Sequence, residues 1–188
     1  SEGVRYEEPN LKMMGIEAVK SSTPAPCRTM IKNGLKIMMN GTEEEVIDYI
    51  DQCRTKFKTL PPEEIAFPRT VSNVKKYHSR TDIYCKGTPI HARGALLFNF
   101  YIKKNKLDKK YSLISNGEKI KFIYLKKPNI IQENVVSFIQ DFPTELNLDK
   151  YIDYDLQFEK SFLEPLKAIL DAIGWNVEKT VNLELFFT

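Results

Sequence analysis

Asp153 and Asp155, in the stretch YIDYDL, are the one carboxylate pair in the chain with a spacing suited to catalysis. On a strand, alternate carboxylates share a face and can hold two metal ions for phosphoryl transfer. Here, however, the pair opens a helical pattern. Acidic residues there complement the dipole of a first turn, and residues two apart on a helix diverge. The structural reading is therefore preferred, and a small metal-dependent nuclease is carried only as an alternative. The sequence has no Gly-rich phosphate loop, no HExxH and no Gly-x-Ser-x-Gly, so nothing else has the form of an active site. Cys27, Cys53 and Cys85, with His78 and His91, lack the short spacings of zinc motifs. Scattered and odd in number, the cysteines point to a reducing compartment rather than a disulfide framework.

Charge is a stronger signal. The net charge is +3, but residues 69–127 alone hold 15 Lys and Arg against 3 Asp and Glu, a net +12. The flanking segments are net −2 (1–68) and −7 (128–188). Such a block inside a balanced chain is the footprint of a polyanion partner. Two of its segments, VSNVKKYHSR (71–80) and CKGTPIHARG (85–94), with Tyr84 just before the second, mix cations with Ser72, Asn73, Tyr77, Thr88, His91 and glycines. Lys and Arg neutralise phosphates, while Asn, Tyr and backbone N–H groups hydrogen-bond their oxygens. In the third, YIKKNKLDKK (101–110), the stretch KKNKLDKK reads as a solvated loop. Ser21, Ser22 and Thr23 after Lys20 serve equally as a helix cap or as a phosphate seat at a helix start.

The elements that position these residues follow from periodicity. SSTP (21–24) is expected to start a helix whose apolar residues run from Cys27 to Met39. Thr42 and Glu45 form a capping box for a second helix, with Val46, Ile47, Ile50, Cys53 and Phe57 on one face and LPP (60–62) ending it. Together they make an αα-hairpin. Residues 61–94, with four prolines, read as loops and short strands; 95–104 as a short helix; KIKFIYL (119–125) as a strand after an NGEK turn. Val135–Ile139 is mixed. Asp149–Ile173 reads as one long amphipathic helix, bent at Pro165 and ended by Gly174. No apolar run approaches the ~18–20 residues of a membrane span, and SEGVRYEEPN has the form of neither a signal nor a transit peptide.

The string LKMMGIEAVKSSTP (11–24) resembles the segment of family B DNA polymerases where the chain leaves the palm and enters the thumb. Lys12, Gly15, Ile16, Glu17, Lys20, Ser21, Ser22 and Pro24 stand in that pattern, and the KSSTP form is similar to the T-even-type tailed phage branch. RYEEPNLK resembles the palm strand before it. SNVKKYHS and TPIHARGALLFN resemble the two thumb loops and the following helix; GEKIKFIYL resembles the next thumb strand and LQFEKSFLEPL the last helix. The pieces keep family order along essentially the whole chain. The resemblance implies a replicative DNA-directed DNA polymerase, a nucleotidyltransferase, of which this is the C-terminal part. It also implies that the catalytic aspartates, the nucleotide-binding motif and the bound Mg lie upstream, so the chain itself should hold no cofactor and be inactive alone.

By the same resemblance, Lys20, Ser21, Ser22 and Thr23 would lie along the duplex backbone. Asn73, Lys76 and Tyr77, beside Lys75, would make contacts near the primer, and His91 and Arg93 would stand in a His-x-Arg loop, with Lys86 close to a basic position. Lys160 matches a basic position on the last helix, although Glu164 stands where relatives carry Lys. The stretch 126–134 is shorter than in relatives, so only Lys126 is carried over there. In the ending VNLELFFT, alternation permits a strand. Leu183, Phe186 and Phe187 also fit the hydrophobic-x-x-aromatic-aromatic core of sliding-clamp-binding peptides, with which phage family B polymerases end. Thr180 stands where cellular peptides carry glutamine.

The expected fold is α+β, a mainly helical thumb domain with an αα-hairpin, a small loop-rich β region and a long C-terminal helix. Its parts are a palm-to-thumb segment (1–23), the thumb (24–173) and a clamp-binding tail (174–188). The expected partners are primer–template double-stranded DNA, a sliding clamp and the polymerase palm, with no membrane, in the cytoplasm of an infected bacterial host. The alternative of another class is a free-standing nucleic-acid-binding adaptor with a C-terminal partner peptide.

Overall fold

The computed structural model describes residues 20–172, which divide into two compact units. The segment expected to run from palm to thumb before residue 20, the expected Gly174 stop and the tail residues Leu183, Phe186 and Phe187 lie outside the described residues.

The first unit holds residues up to Leu60 and from Phe158 onward. Helices α1 (Ala25–Asn40) and α2 (Glu43–Phe57) form the expected hairpin. Thr42 caps α2 by accepting a hydrogen bond from the Glu45 N–H, and Glu43, Glu44 and Glu45 complement the dipole of that end. The hydroxyls of Ser21–Thr23 do not cap α1. Pro24 (φ −56°, ψ 142°) holds the N-cap, and the Thr23 N–H turns back onto the Lys20 carbonyl. Proline needs no N–H at a helix start, so it displaces the hydroxyl cap that the sequence suggested. Met30, Ile31, Leu35 and Met38 face Val46, Ile50 and Phe57 in the buried set of this unit. The Tyr49 hydroxyl donates to the Met30 carbonyl at 2.8 Å.

The C-terminal helix differs from the expectation. Asp149–Tyr151 is an isolated 3-10 turn, and Ile152 makes a β-bridge with Leu125. The helix starts only at α5 (Tyr154–Phe158), passes through a π turn (Glu159–Leu163) and continues as α6 (Glu164–Ala172). Pro165 has no N–H for the carbonyl four residues back, and its ring crowds that carbonyl. The widened turn immediately before it accommodates both, so the sequence signal for a bend marks a π turn instead. In this unit Phe158 stacks on Phe162 (centroids 4.9 Å apart) and meets Phe57 edge-on at 5.2 Å. Cys27 donates through Sγ to the Ser161 hydroxyl at 3.5 Å. Burial pushes the Cys27 thiol up to about 11 and also raises Cys53, so both stay protonated and unreactive.

The second unit is Pro61–Gln157. After a single helical turn, α3 (Pro62–Ile65), three strands pair antiparallel in the order β1 (Phe67–Thr70), β2 (Lys119–Tyr124), β3 (Val135–Phe138). β2 alternates as expected over residues 119–122, with Ile120 and Phe122 buried and Lys119 exposed, but the alternation ends at Ile123, which is fully buried while Tyr124 is half-buried. β3 shows no alternation because all four of its residues are buried. Helix α4 (Ile90–Lys104) packs on this sheet, chiefly on β3. It begins five residues before the expected Ala95 because Pro89 holds its N-cap.

The packing of α4 depends on Gly94. A Cβ there would collide with the Ser137 hydroxyl and lie 2.9 Å from the Ser137 N. Ser137 fills the approach by donating to the His91 carbonyl at 3.0 Å. At the far side of the unit the fully buried Gln157 amide is satisfied at both ends, donating to the Ile65 carbonyl (2.8 Å) and accepting from the Tyr124 N–H (3.1 Å). Asp153 accepts from the Leu156 N–H at 3.0 Å, capping α5.

Candidate nucleic-acid interface

β1 leads directly into the segment with the densest cations. Asn73 adopts a left-handed conformation (φ 54°), which Asn tolerates better than most residues. It starts a 3-10 turn, Val74–Tyr77. The turn is fixed from beneath. Val74 is buried, and its N–H donates to the Asn116 side-chain oxygen at 2.7 Å, across the sequence from the β1–β2 side. Asn73, Lys75 and Lys76 are left exposed, and Lys76 Nζ lies over the Tyr77 ring at 5.6 Å from its centroid. The Tyr77 carbonyl then accepts from the Cys85 N–H at 2.9 Å, drawing in the second turn. Lys86 is exposed at its tip, beside Gly87 at φ +84°, a conformation that favours glycine.

His91 and Arg93 do not stand in a loop, as the resemblance implied, but on the first turn of α4. His91 is half-buried, with its ring 6.5 Å from that of Phe122. Burial, and then the positive charge of Arg69, lowers its pKa below the ordinary 6.5. At neutral pH it is therefore a neutral imidazole that can hydrogen-bond a phosphate or sugar oxygen but adds no charge. Arg93 is not a free cation. Its Nη1 donates to Glu133 Oε2 (3.1 Å) and Asn134 Oδ1 (2.7 Å), and its guanidinium lies 5.7 Å from the Tyr84 ring centroid. The Tyr84 hydroxyl completes the latch by donating to Glu133 Oε1 at 2.7 Å.

The fold thus brings Asn73, Lys75, Lys76, Tyr77, Lys86 and His91 onto one continuous loop-and-helix segment of the second unit. Lys126 is exposed in the same unit, its N–H held by the Tyr151 carbonyl at 2.7 Å. Lys20–Thr23 and Lys160 belong to the first unit. There Lys20 and Ser21 are exposed while Thr23 is buried, and half-buried Lys160 sits on the π turn next to Ser161, the partner of Cys27. Sequence reasoning passed over Arg69 and Lys119. Both are exposed at the end of the β1–β2 ladder that carries the first turn, with Arg69 opposite Ile120 and Lys119 opposite Thr70. Their membership of the +12 segment was the available signal.

No family model matches the chain. Similarity to individual proteins is extensive. The chain is 26% identical, over 99% of its length, to the DNA-directed DNA polymerase of Enterobacteria phage T4. It is 31% identical, over 97% of its length, to that of Escherichia phage RB69. It spans about a fifth of the length of each (21% and 20%). Among solved structures, the family B DNA polymerase of the hyperthermophilic archaeon Pyrobaculum calidifontis shares its fold with a TM-score of 0.51 over 79% of this chain and 18% of that one, at 14% identity. The chain belongs to the family B DNA polymerases, as a C-terminal fragment of the kind found in T-even-type phages.

The depressed His91 pKa has a measurable consequence. The unfolded chain takes up the proton more readily than the fold does, so stability is complete above about 6.5 and declines as pH falls below it. Thermal midpoints between pH 7.5 and 5.5 should show this decline, and His91→Gln should flatten it; an unchanged slope in the variant would place the titrating group elsewhere.

Proposed function

We propose that this chain is the thumb portion of a replicative DNA polymerase and that it grips the product duplex through its phosphate backbone. The observation that carries this is the pair of rigidly anchored turns that expose Asn73, Lys75, Lys76 and Lys86 in the +12 segment. A product-holding surface must accept any sequence and let the duplex slide. That requires phosphate and sugar contacts rather than base-edge readout. Short cationic turns fixed at their base, with neutral His91 beside them, fit that need. Arg93 serves differently, as a positioning residue that latches α4 to the 133–134 segment. Lys20–Thr23, Lys126 and Lys160 are further backbone contacts in this reading. Catalysis would be supplied by aspartates and Mg elsewhere in the parent enzyme, acting in the cytoplasm of an infected bacterium. The fragment alone would bind without polymerising. The phage polymerase relatives support this over a free-standing adaptor.

Engagement of about 4 to 6 phosphates predicts a log K against log salt slope of about −4 to −5 for a blunt duplex. Lys75→Ala with Lys76→Ala should make it shallower by about 2, uniformly across sequences. A slope indifferent to both lysines would remove the turn from the interface.

The tail belongs to the same proposal. Leu183, Phe186 and Phe187 would insert into a sliding-clamp pocket, each burial contributing ~1.5–3 kcal/mol before ordering costs. The result is a modest affinity suited to a tether. A labelled peptide of residues 174–188 should bind a T-even-type phage clamp, and its Phe186→Ala/Phe187→Ala version should not. Equal binding by the two would leave the tail without this role.

A further inference from the structure

Beside the proposed duplex-binding turns, the second unit has an open cleft of about 860 Å³ between residues 78–83 and the C-terminal half of α4. Ile83, Leu96 and Phe100 give it an apolar lining, and Arg80, Lys103 and Lys104 bring cations, with His78 beside them, against one acid, Asp82. Among the described residues, Phe100 (43% exposed) and Ile130 are the only large hydrophobic side chains left exposed. Phe100 is braced for this. Tyr101 stands edge-on to it at 5.0 Å, and Lys104 Nζ lies 6.0 Å from its centroid. The opposite wall is knit by Ser79, whose hydroxyl accepts from the Thr81 and Asp82 N–H groups at 3.3 and 3.2 Å. Asn99, also in the lining, spends both ends of its amide on Ile114.

We propose that this cleft is a second nucleic-acid subsite, one that takes an unpaired stretch of strand. A base stacks on Phe100, and the flanking phosphates lie against Arg80, Lys103 and Lys104. An exposed aromatic face beside clustered cations is the recurrent device for holding single strands, because every base has a π face. A duplex hides those faces in its own stack and cannot use Phe100. Asn99 is fixed in the wall by its two bonds to Ile114, and stacking on Phe100 with phosphate contacts to the cations suits a sequence-independent subsite. His78 and Arg80 follow within three residues of the Val74–Tyr77 turn, so a strand leaving a duplex held there can continue into the cleft. The inference rests on the duplex reading for the class of polyanion, and its own ligand is different.

The 188-residue chain would be titrated with a fluorescein-labelled oligothymidylate of about eight nucleotides, a length within the usual range for such sites, and separately with a blunt duplex. Phe100→Ala should weaken oligothymidylate binding about tenfold and leave duplex binding unchanged, while Phe100→Tyr, which keeps the ring, should retain both. Circular dichroism of each variant checks the fold. Oligothymidylate binding indifferent to Phe100→Ala, or none at all, overturns the proposal. So does binding of an acidic peptide in place of the oligonucleotide, which would make the cleft a protein-docking site. Duplex binding without single-strand binding sinks this subsite alone; single-strand binding without duplex binding sinks the duplex reading alone.

Discussion

The seating of Gly94 on the backbone of β3 is the constraint from which the second unit's proposed binding surface follows. Only a residue without a Cβ allows α4 to come within reach of Ser137, and that approach buries Leu97 with Phe122 and Val135 of the strands. The same approach lets the Ser137 hydroxyl hold the His91 carbonyl, so the first turn of the helix has a fixed height above the sheet. From that turn, Arg93 reaches Glu133 and Asn134, and Glu133 in turn holds Tyr84. One close contact therefore fixes the start of the helix and, through Tyr84, the loop ahead of it. Overpacking at such a site typically costs about 1–3 kcal/mol, and here the displacement would be passed to the loops that carry the cations.

Cations in this unit serve two separate purposes. Arg93 and Lys121 are spent on the fold: one is latched to an acid and an amide, and the other donates through Nζ to the Glu63 carbonyl at 2.8 Å. Lys75, Lys76 and Lys86 are held outward on turns whose backbones are anchored by Val74, Asn116 and Cys85. Charge held outward on a fixed base meets a phosphate with little further ordering, which is the condition for binding that depends on position rather than on flexible side chains finding partners. Lys110, exposed, is paired with Glu145 at 2.6 Å, so the KKNKLDKK stretch is not uniformly free charge.

Much of this was legible in the sequence where the cause is local. The Thr42 cap, the helical period of Cys27–Met39 and the alternation that opens β2 are properties of neighbouring residues, and each takes the form its pattern implies. What stayed hidden depends on distant partners. β3 lost its alternation through burial of all four residues. The start of α4 was obscured by Thr88–Pro89, which reads as a turn but serves as a helix entrance. Arg93 looked like a phosphate ligand because Glu133 lies forty residues away and no local pattern joins them. Pro165 announced an irregularity in the last helix, but not that the chain would absorb it as a π turn upstream. The exposed ring of Phe100 was invisible for the same reason, since on a helix of this apolarity any aromatic residue reads as core.

The measurement that bears most directly on the account is amide hydrogen exchange along the 188-residue chain with and without a blunt DNA duplex. Slowed exchange should concentrate in residues 72–91, across the Val74–Tyr77 turn, the Lys86–Gly87 turn and the entrance to α4. Duplex binding that leaves those residues unprotected, with protection confined to the hairpin of α1 and α2, would contradict it.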